Sequence, residues 1–131
     1  MKFSMKNLNP GAWFYFDKND PESGKICIRI LSPGKLSEIR NSIETEVEFK
    51  DGQRYEYQKP DTDGIRDKII WDYCIVDWQN LVDDDNQPIE CNIENKLKLM
   101  QEHIGFSSFV ENCLTQLNEQ NEIYKEYSEK N

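Results

Sequence analysis

Residues 12–17 read AWFYFD and residues 25–31 read KICIRIL, and these two runs near the start of the chain decide its fold. Both are rich in aromatic and β-branched residues, which favour strands, and the link KNDPESG between them contains proline and glycine. The pair therefore predicts a β-hairpin. Because Ile26, Ile28 and Ile30 alternate with other residues, we expect one face of the second strand to be buried.

A short helix and a second hairpin are predicted next. Ser32 is suited to cap a helix and Pro33 to occupy its first position. In the run TEVEFKDGQRYEY at residues 45–57, apolar and charged residues alternate on both sides of Asp51-Gly52, a dipeptide typical of a tight turn. The sequence thus predicts four strands before residue 59.

The rest of the chain has helical periodicity. Residues 64–78, GIRDKIIWDYCIVDW, predict a central helix that begins after capping oxygens at 61–63 and packs across the sheet. Residues 79–92 predict a loop, because they contain three consecutive Asp followed by Asn and Pro. Asn92 then caps a further helix, and the last helix begins near Phe106.

These elements predict one α+β domain over residues 1–131. Residues 1–60 are strand-rich and residues 61–131 are helix-rich. We expect an antiparallel sheet of about four strands, packed against three to four C-terminal helices.

The charge balance excludes one class of function. Sixteen Lys and Arg against 25 Asp and Glu give a net charge of −9, which repels the phosphate backbone of nucleic acids. No run approaches the roughly 18 apolar residues of a membrane span, and the start of the chain has no export signal. The sequence therefore predicts a soluble cytoplasmic protein with no membrane partner, in which the four widely spaced cysteines are reduced thiols.

Catalytic and metal-binding patterns are not evident in the sequence. His103 is the only histidine, no Ser or Cys lies in a recognisable nucleophile motif, and no cysteine pair has the spacing of a zinc site. Residues 83–94 resemble a calcium loop at their ends, but Pro88 stands where a positive φ is required. We therefore expect no catalytic residue, no metal and no cofactor, and a protein that is not an enzyme.

Two features favour binding to another macromolecule. Between Lys68 and Lys96 there are seven acidic residues and no basic one. This stretch either docks a basic or helical partner, mimics nucleic acid, or is a solvated surface. The four consecutive aromatic residues 13–16 cannot all point inward, because neighbouring side chains on a strand leave opposite faces. Two of them need cover from a helix of this chain or from a partner.

Residues 65–115 resemble the small tail assembly chaperones of long-tailed bacteriophages and prophages. In that family an apolar helix ends in Trp, an acidic turn with Pro follows, then a capped helix and a Phe-rich closing helix. The corresponding features here are Trp78, the turn 83–88, the capped start 92–96, and the closing stripe 106–110. Where the family often has glycine, this chain has Asn80 and Asn86, and Asn is the next most tolerant residue of left-handed backbone.

The resemblance implies a non-enzymatic protein of the bacterial host cytoplasm. It would bind the tail tape-measure protein and assist polymerisation of the tail-tube protein around it; formation of a homo-oligomer is left open. Two sets of residues are candidates for partner contact, with intramolecular core and bare surface as the alternatives: Asp83, Asp84 and Asp85 in the acidic turn, and Phe106, Phe109 and Val110 in the last helix. The rival functions are a structural or connector component of the virion and an acidic inhibitor of the DNA-mimic type.

Overall fold

The chain forms antiparallel strands and helices, which confirms the α+β class. The structure, a computed structural model, describes residues 1–6, 8–61 and 63–129, with residues 121–129 described by their backbone alone. Over these residues the order of elements is β1 (Ala12–Tyr15), β2 (Lys25–Ile28), α1 (Pro33–Asn41), β3 (Thr45–Lys50), β4 (Gln53–Gln58), α2 (Ile65–Cys74), β5 (Ile75–Gln79), α3 (Ile93–Glu102) and α4 (Ile104–Glu129).

The predicted first hairpin is confirmed, and it belongs to a three-stranded antiparallel sheet in the order β1-β2-β5. Ile26 and Ile28 are fully buried, as their alternation predicts. Cys27, on the opposite face, is buried as well, because the backbone at Pro10 and Gly11 lies against it. A Cβ added to Gly11 would lie 2.8 Å from the carbonyl oxygen of Ile28, so this close approach requires glycine.

The predicted central helix is wrong beyond Cys74. Helix α2 ends there and the chain continues directly into β5, which pairs with the inner strand β2. The run Ile75–Gln79 has no Gly or Pro to separate it from the helix, so apolar periodicity alone extends the helix too far. Pairing with β2 supplies ladder hydrogen bonds to a β-branched segment, and this tertiary pairing decides its conformation.

The predicted helix caps are confirmed. Ser32 Oγ accepts a hydrogen bond from Lys35 N at the start of α1, and Asn92 Oδ1 accepts one from Asn95 N at the start of α3. The Asp61 carboxylate accepts two backbone N–H bonds from the first turn of α2. Each cap satisfies N–H groups that have no partner inside the helix.

The core joins the two halves of the chain. Buried side chains of β2 and β5 meet the apolar faces of α3 and α4: the core contains Ile26, Ile28, Ile75, Trp78, Met100, Phe106, Val110 and Cys113. The indole N–H of Trp78 donates to the carbonyl oxygen of Ile89 at 2.7 Å, which ties the loop after β5 to the sheet.

The cysteine thiols are structural. All four are free, and three of them (Cys27, Cys74 and Cys113) are buried. Burial raises the pKa of Cys74 and of Cys113 to about 11. These thiols stay protonated and poorly nucleophilic at neutral pH.

Candidate interaction surface

The strands β3 and β4 form a separate two-stranded sheet that projects from the domain. Every residue from 44 to 60 is exposed. The predicted turn at Asp51-Gly52 is confirmed, and both residues have a positive φ (53° and 76°), as a type I′ turn requires. An isolated hairpin of this size is only marginally stable in water. The exposure of both faces therefore makes this hairpin a candidate surface for binding a partner.

The register explains why the hairpin has no buried face. The tight turn places Val47 opposite Glu56 and Phe49 opposite Arg54, while Tyr55 lies opposite Glu48. Residues directly opposite each other point to the same face, so the apolar side chains of the two strands fall on opposite faces. Neither face is apolar enough to pack on the core.

One face carries two tyrosines and two glutamates at its centre, with Lys50 and Gln53 at its turn end, and we call its centre the Glu–Tyr face (Glu46, Glu48, Tyr55 and Tyr57). A hydrogen bond from the Tyr57 hydroxyl to Glu48, followed by slight desolvation and the charges of Glu46 and Glu48, raises the pKa of Tyr57 to about 12. Among the described residues, neither glutamate has an ion-pair partner.

The other face of the hairpin is apolar at its centre, and we call it the Val–Phe face (Val47 and Phe49, with Arg54 and Glu56 opposite). Arg54 and Glu56 form an ion pair with each other at 3.2 Å, so this face carries no net charge at its centre. Phe49 is 76% exposed, more than is usual for a phenylalanine.

The acidic turn predicted as a contact site has a local structural role at its first residue. Asp83 Oδ1 accepts hydrogen bonds from the backbone N–H groups of Asp85 and Gln87, both at 2.9 Å. Asn86 takes a positive φ of 59° inside this turn. The side chains of Asp84 and Asp85 are exposed, so they remain candidates for partner contact.

The predicted contact residues of the last helix lie inside the domain. Val110 is fully buried and Phe106 nearly so, and both belong to the core. Phe109 is half-buried, with its ring centroid 4.6 Å from that of Phe16. The intramolecular alternative therefore describes Phe106 and Val110, and neither side chain is available at the surface of this fold.

The aromatic run at the start of the chain divides as strand geometry requires. Phe14 and Phe16 pack against the core, while Trp13 and Tyr15 are 41% and 43% exposed on the outer face. Their partial cover comes from Lys25, whose Nζ lies 4.6 Å from the Trp13 ring centroid and 5.8 Å from that of Tyr15. These two rings are a second exposed aromatic patch.

Lys96 is a buried charge that sequence analysis did not identify. Its side chain is 8% exposed, and Nζ donates to the backbone carbonyl and to the carboxylate of Asp72, both at 3.2 Å. The pair joins α3 to α2 and neutralises one member of the acidic stretch. Its role is structural.

A second polar cluster surrounds Tyr73. The Arg29 guanidinium stacks 3.8 Å from the Tyr73 ring centroid, and Asn9 Nδ2 donates to the Tyr73 hydroxyl at 2.8 Å. Partial burial acts to raise the pKa of Tyr73, but hydrogen bonds with Ser32 and Asn9 and the Arg29 charge outweigh it and lower the pKa. These contacts fix the N-terminal segment to β2 and α2.

The cavities of the described region are open depressions. One of about 560 Å³ lies between the acidic turn and α3, next to His103. The Nδ1 atom of His103 accepts a hydrogen bond from Phe106 N, so this ring caps the start of α4. Over the described residues, no three His, Cys, Asp or Glu side chains are grouped to hold a metal ion.

Comparison with known proteins adds no assignment. No family model, curated protein or solved structure matches the chain. Within the described part of the chain, no helix combines the length and apolar character needed to cross a membrane.

Proposed function

We propose that this chain is a non-enzymatic binding protein that holds another protein through the β3–β4 hairpin. One observation carries the proposal: the hairpin presents Val47, Phe49, Tyr55 and Tyr57 to solvent on both of its faces. A partner that covers these side chains would stabilise the complex by roughly 25 cal/mol for each Å² of apolar area buried. A partner that encloses the ribbon would also stabilise the hairpin itself.

We propose the tail tape-measure protein as the partner, with the tail-tube protein as a second one, in the cytoplasm of a bacterial host. The resemblance of residues 65–115 to the tail assembly chaperones suggests this partner. The backbone at Asn80 and Asn86 supports the resemblance, because both residues adopt a left-handed φ near 60° at positions where that family often has glycine. Exposed aromatic side chains suit a protein that shields apolar segments until assembly replaces it.

Co-expression with the tape-measure protein tests the proposal. We expect a soluble complex that survives purification at micromolar concentration. The variant V47S/F49S/Y55S/Y57S should lose the complex and keep its fold, because all four side chains are exposed. The matched control V82S/I104S removes two exposed apolar side chains elsewhere and should retain binding.

Two results would contradict the proposal in different ways. If the proteins purify separately, the tape-measure assignment is wrong. If the complex forms equally well with the hairpin variant, another surface holds the partner. Presence of the chain in purified virions would favour a structural or connector component instead.

A further inference from the structure

We infer that the Glu–Tyr face binds a basic segment of the partner, with Lys or Arg side chains seated between the tyrosine rings and the two glutamates. This inference rests on the proposed binding function of the hairpin and names the chemistry that the hairpin recognises. It assigns the two faces different tasks, since the Val–Phe face offers apolar contact without net charge.

The geometry of the face suits cations. Glu46 lies opposite Tyr57 and Glu48 opposite Tyr55, so the centre of the face has two carboxylates on β3 and two rings on β4, while Lys50 and Gln53 lie at its turn end. Successive residues on one face of a strand are separated by about 7 Å, which is the spacing of alternate side chains in an extended partner. Each cation would meet a ring face and a carboxylate together, and both attract positive charge.

The electrostatics point the same way. Within the described chain neither glutamate is paired with a cation. An apolar partner on this face would desolvate two carboxylates without compensation, which is costly. A basic partner compensates them, and the net charge of −9 adds long-range attraction.

A second copy of this chain is a poor occupant of the face. Pairing two Glu–Tyr faces would bring four carboxylates together with only the two Lys50 side chains at the turn ends to offset them, and like charges in contact are destabilising. The same chain also contains a contact between a lysine and aromatic rings, which is one half of the arrangement we infer. On the outer face of the first sheet, Lys25 lies opposite Tyr15 and places its Nζ within 6 Å of two aromatic rings.

The test uses the full chain and a short peptide in which Lys alternates with Thr, with a Glu-Thr peptide of the same length as the control. Titration of the Lys-Thr peptide into isotope-labelled protein, monitored by nuclear magnetic resonance, should shift the amide signals of β3 and β4. The variant E46Q/E48Q should weaken binding by about tenfold and reduce its salt dependence. The variant E111Q/E119Q removes the same charge from exposed positions of α4 and should change the affinity less than about twofold.

Each outcome has a separate meaning. Equal weakening by the two variants, or shifts spread well beyond β3 and β4, would overturn the inference in favour of non-specific attraction. Failure of the Lys-Thr peptide to shift the hairpin signals would also overturn it. The co-expression experiment decides the proposed function independently, since the tape-measure complex can form through the Val–Phe face even where the Lys-Thr peptide does not bind.

Discussion

The two sheets of this protein contain similar residues, but one forms the core and the other is exposed to solvent. In the three-stranded sheet, Phe14 lies opposite Ile26, so both side chains point to one face and α4 covers them. In the hairpin, Phe49 lies opposite Arg54, and no face becomes apolar. Cross-strand register, and not the amount of apolar residue, decides which sheet forms the core and which stays in solvent.

Truncation of one side chain in each sheet should give the largest difference in the free energy of unfolding. We expect Ile26→Ala to lower the free energy of unfolding by about 2–4 kcal/mol, because the side chain is fully buried and its loss leaves a cavity. Val47→Ala on the exposed hairpin should change it by less than about 0.5 kcal/mol. Urea denaturation followed by circular dichroism measures both. Equal losses would mean that the hairpin packs on the core after all.

Glycine substitutions should also destabilise the two sheets to different extents, with a smaller difference in the free energy of unfolding. Gly11 has a φ of 86° and faces the Ile28 carbonyl, so Gly11→Ala combines strain with a steric clash. We expect a loss of about 2–3 kcal/mol in global stability. Gly52 has a φ of 76° in open space, so Gly52→Ala should cost about 1 kcal/mol, confined to the hairpin.

Hydrogen exchange distinguishes these two effects. The G52A variant should speed exchange of amides in β3 and β4 and leave those of β2 unchanged, while G11A should speed exchange throughout. Global destabilisation by G52A would show that the hairpin and the core unfold as one unit.

Much of the fold could be predicted because its signals are local. Asp51-Gly52 specifies the hairpin turn, and Ser32 and Asn92 specify helix starts, since the side chains that make these structures lie within a few residues. Strand β5 could not be predicted in the same way. Its segment follows α2 without a breaker, and only pairing with the distant β2 makes it a strand.

The candidate site was partly readable from the sequence. The two-residue turn fixes the register, and that register alone places Val47 and Phe49 opposite charged residues, so the exposure of the hairpin was implicit in residues 45–57. The burial of Val110 could not be predicted, because an apolar stripe on a helix can pack in a core or against a partner equally well. Its complete burial depends on how β2 and α4 meet.

The smallest effect concerns the titration of Tyr57, and it tests the geometry of the Glu–Tyr face directly. The hydrogen bond to Glu48 and the nearby negative charges hold the phenol protonated and raise its pKa from 10 to about 12. Replacing Glu48 with Gln removes the charged acceptor, so the pKa should fall back towards 10, as read from the ultraviolet absorbance of tyrosinate. A pKa that is raised in the folded hairpin stabilises the hairpin below pH 10, and by linkage this stabilisation is lost as the pH rises towards 12.

The same substitution at Glu56, which lies on the other face, should leave the Tyr57 titration unchanged. An equal shift in both variants would mean that the two faces are not electrostatically distinct, and the contrast between a cation-binding face and an apolar face would fail with it.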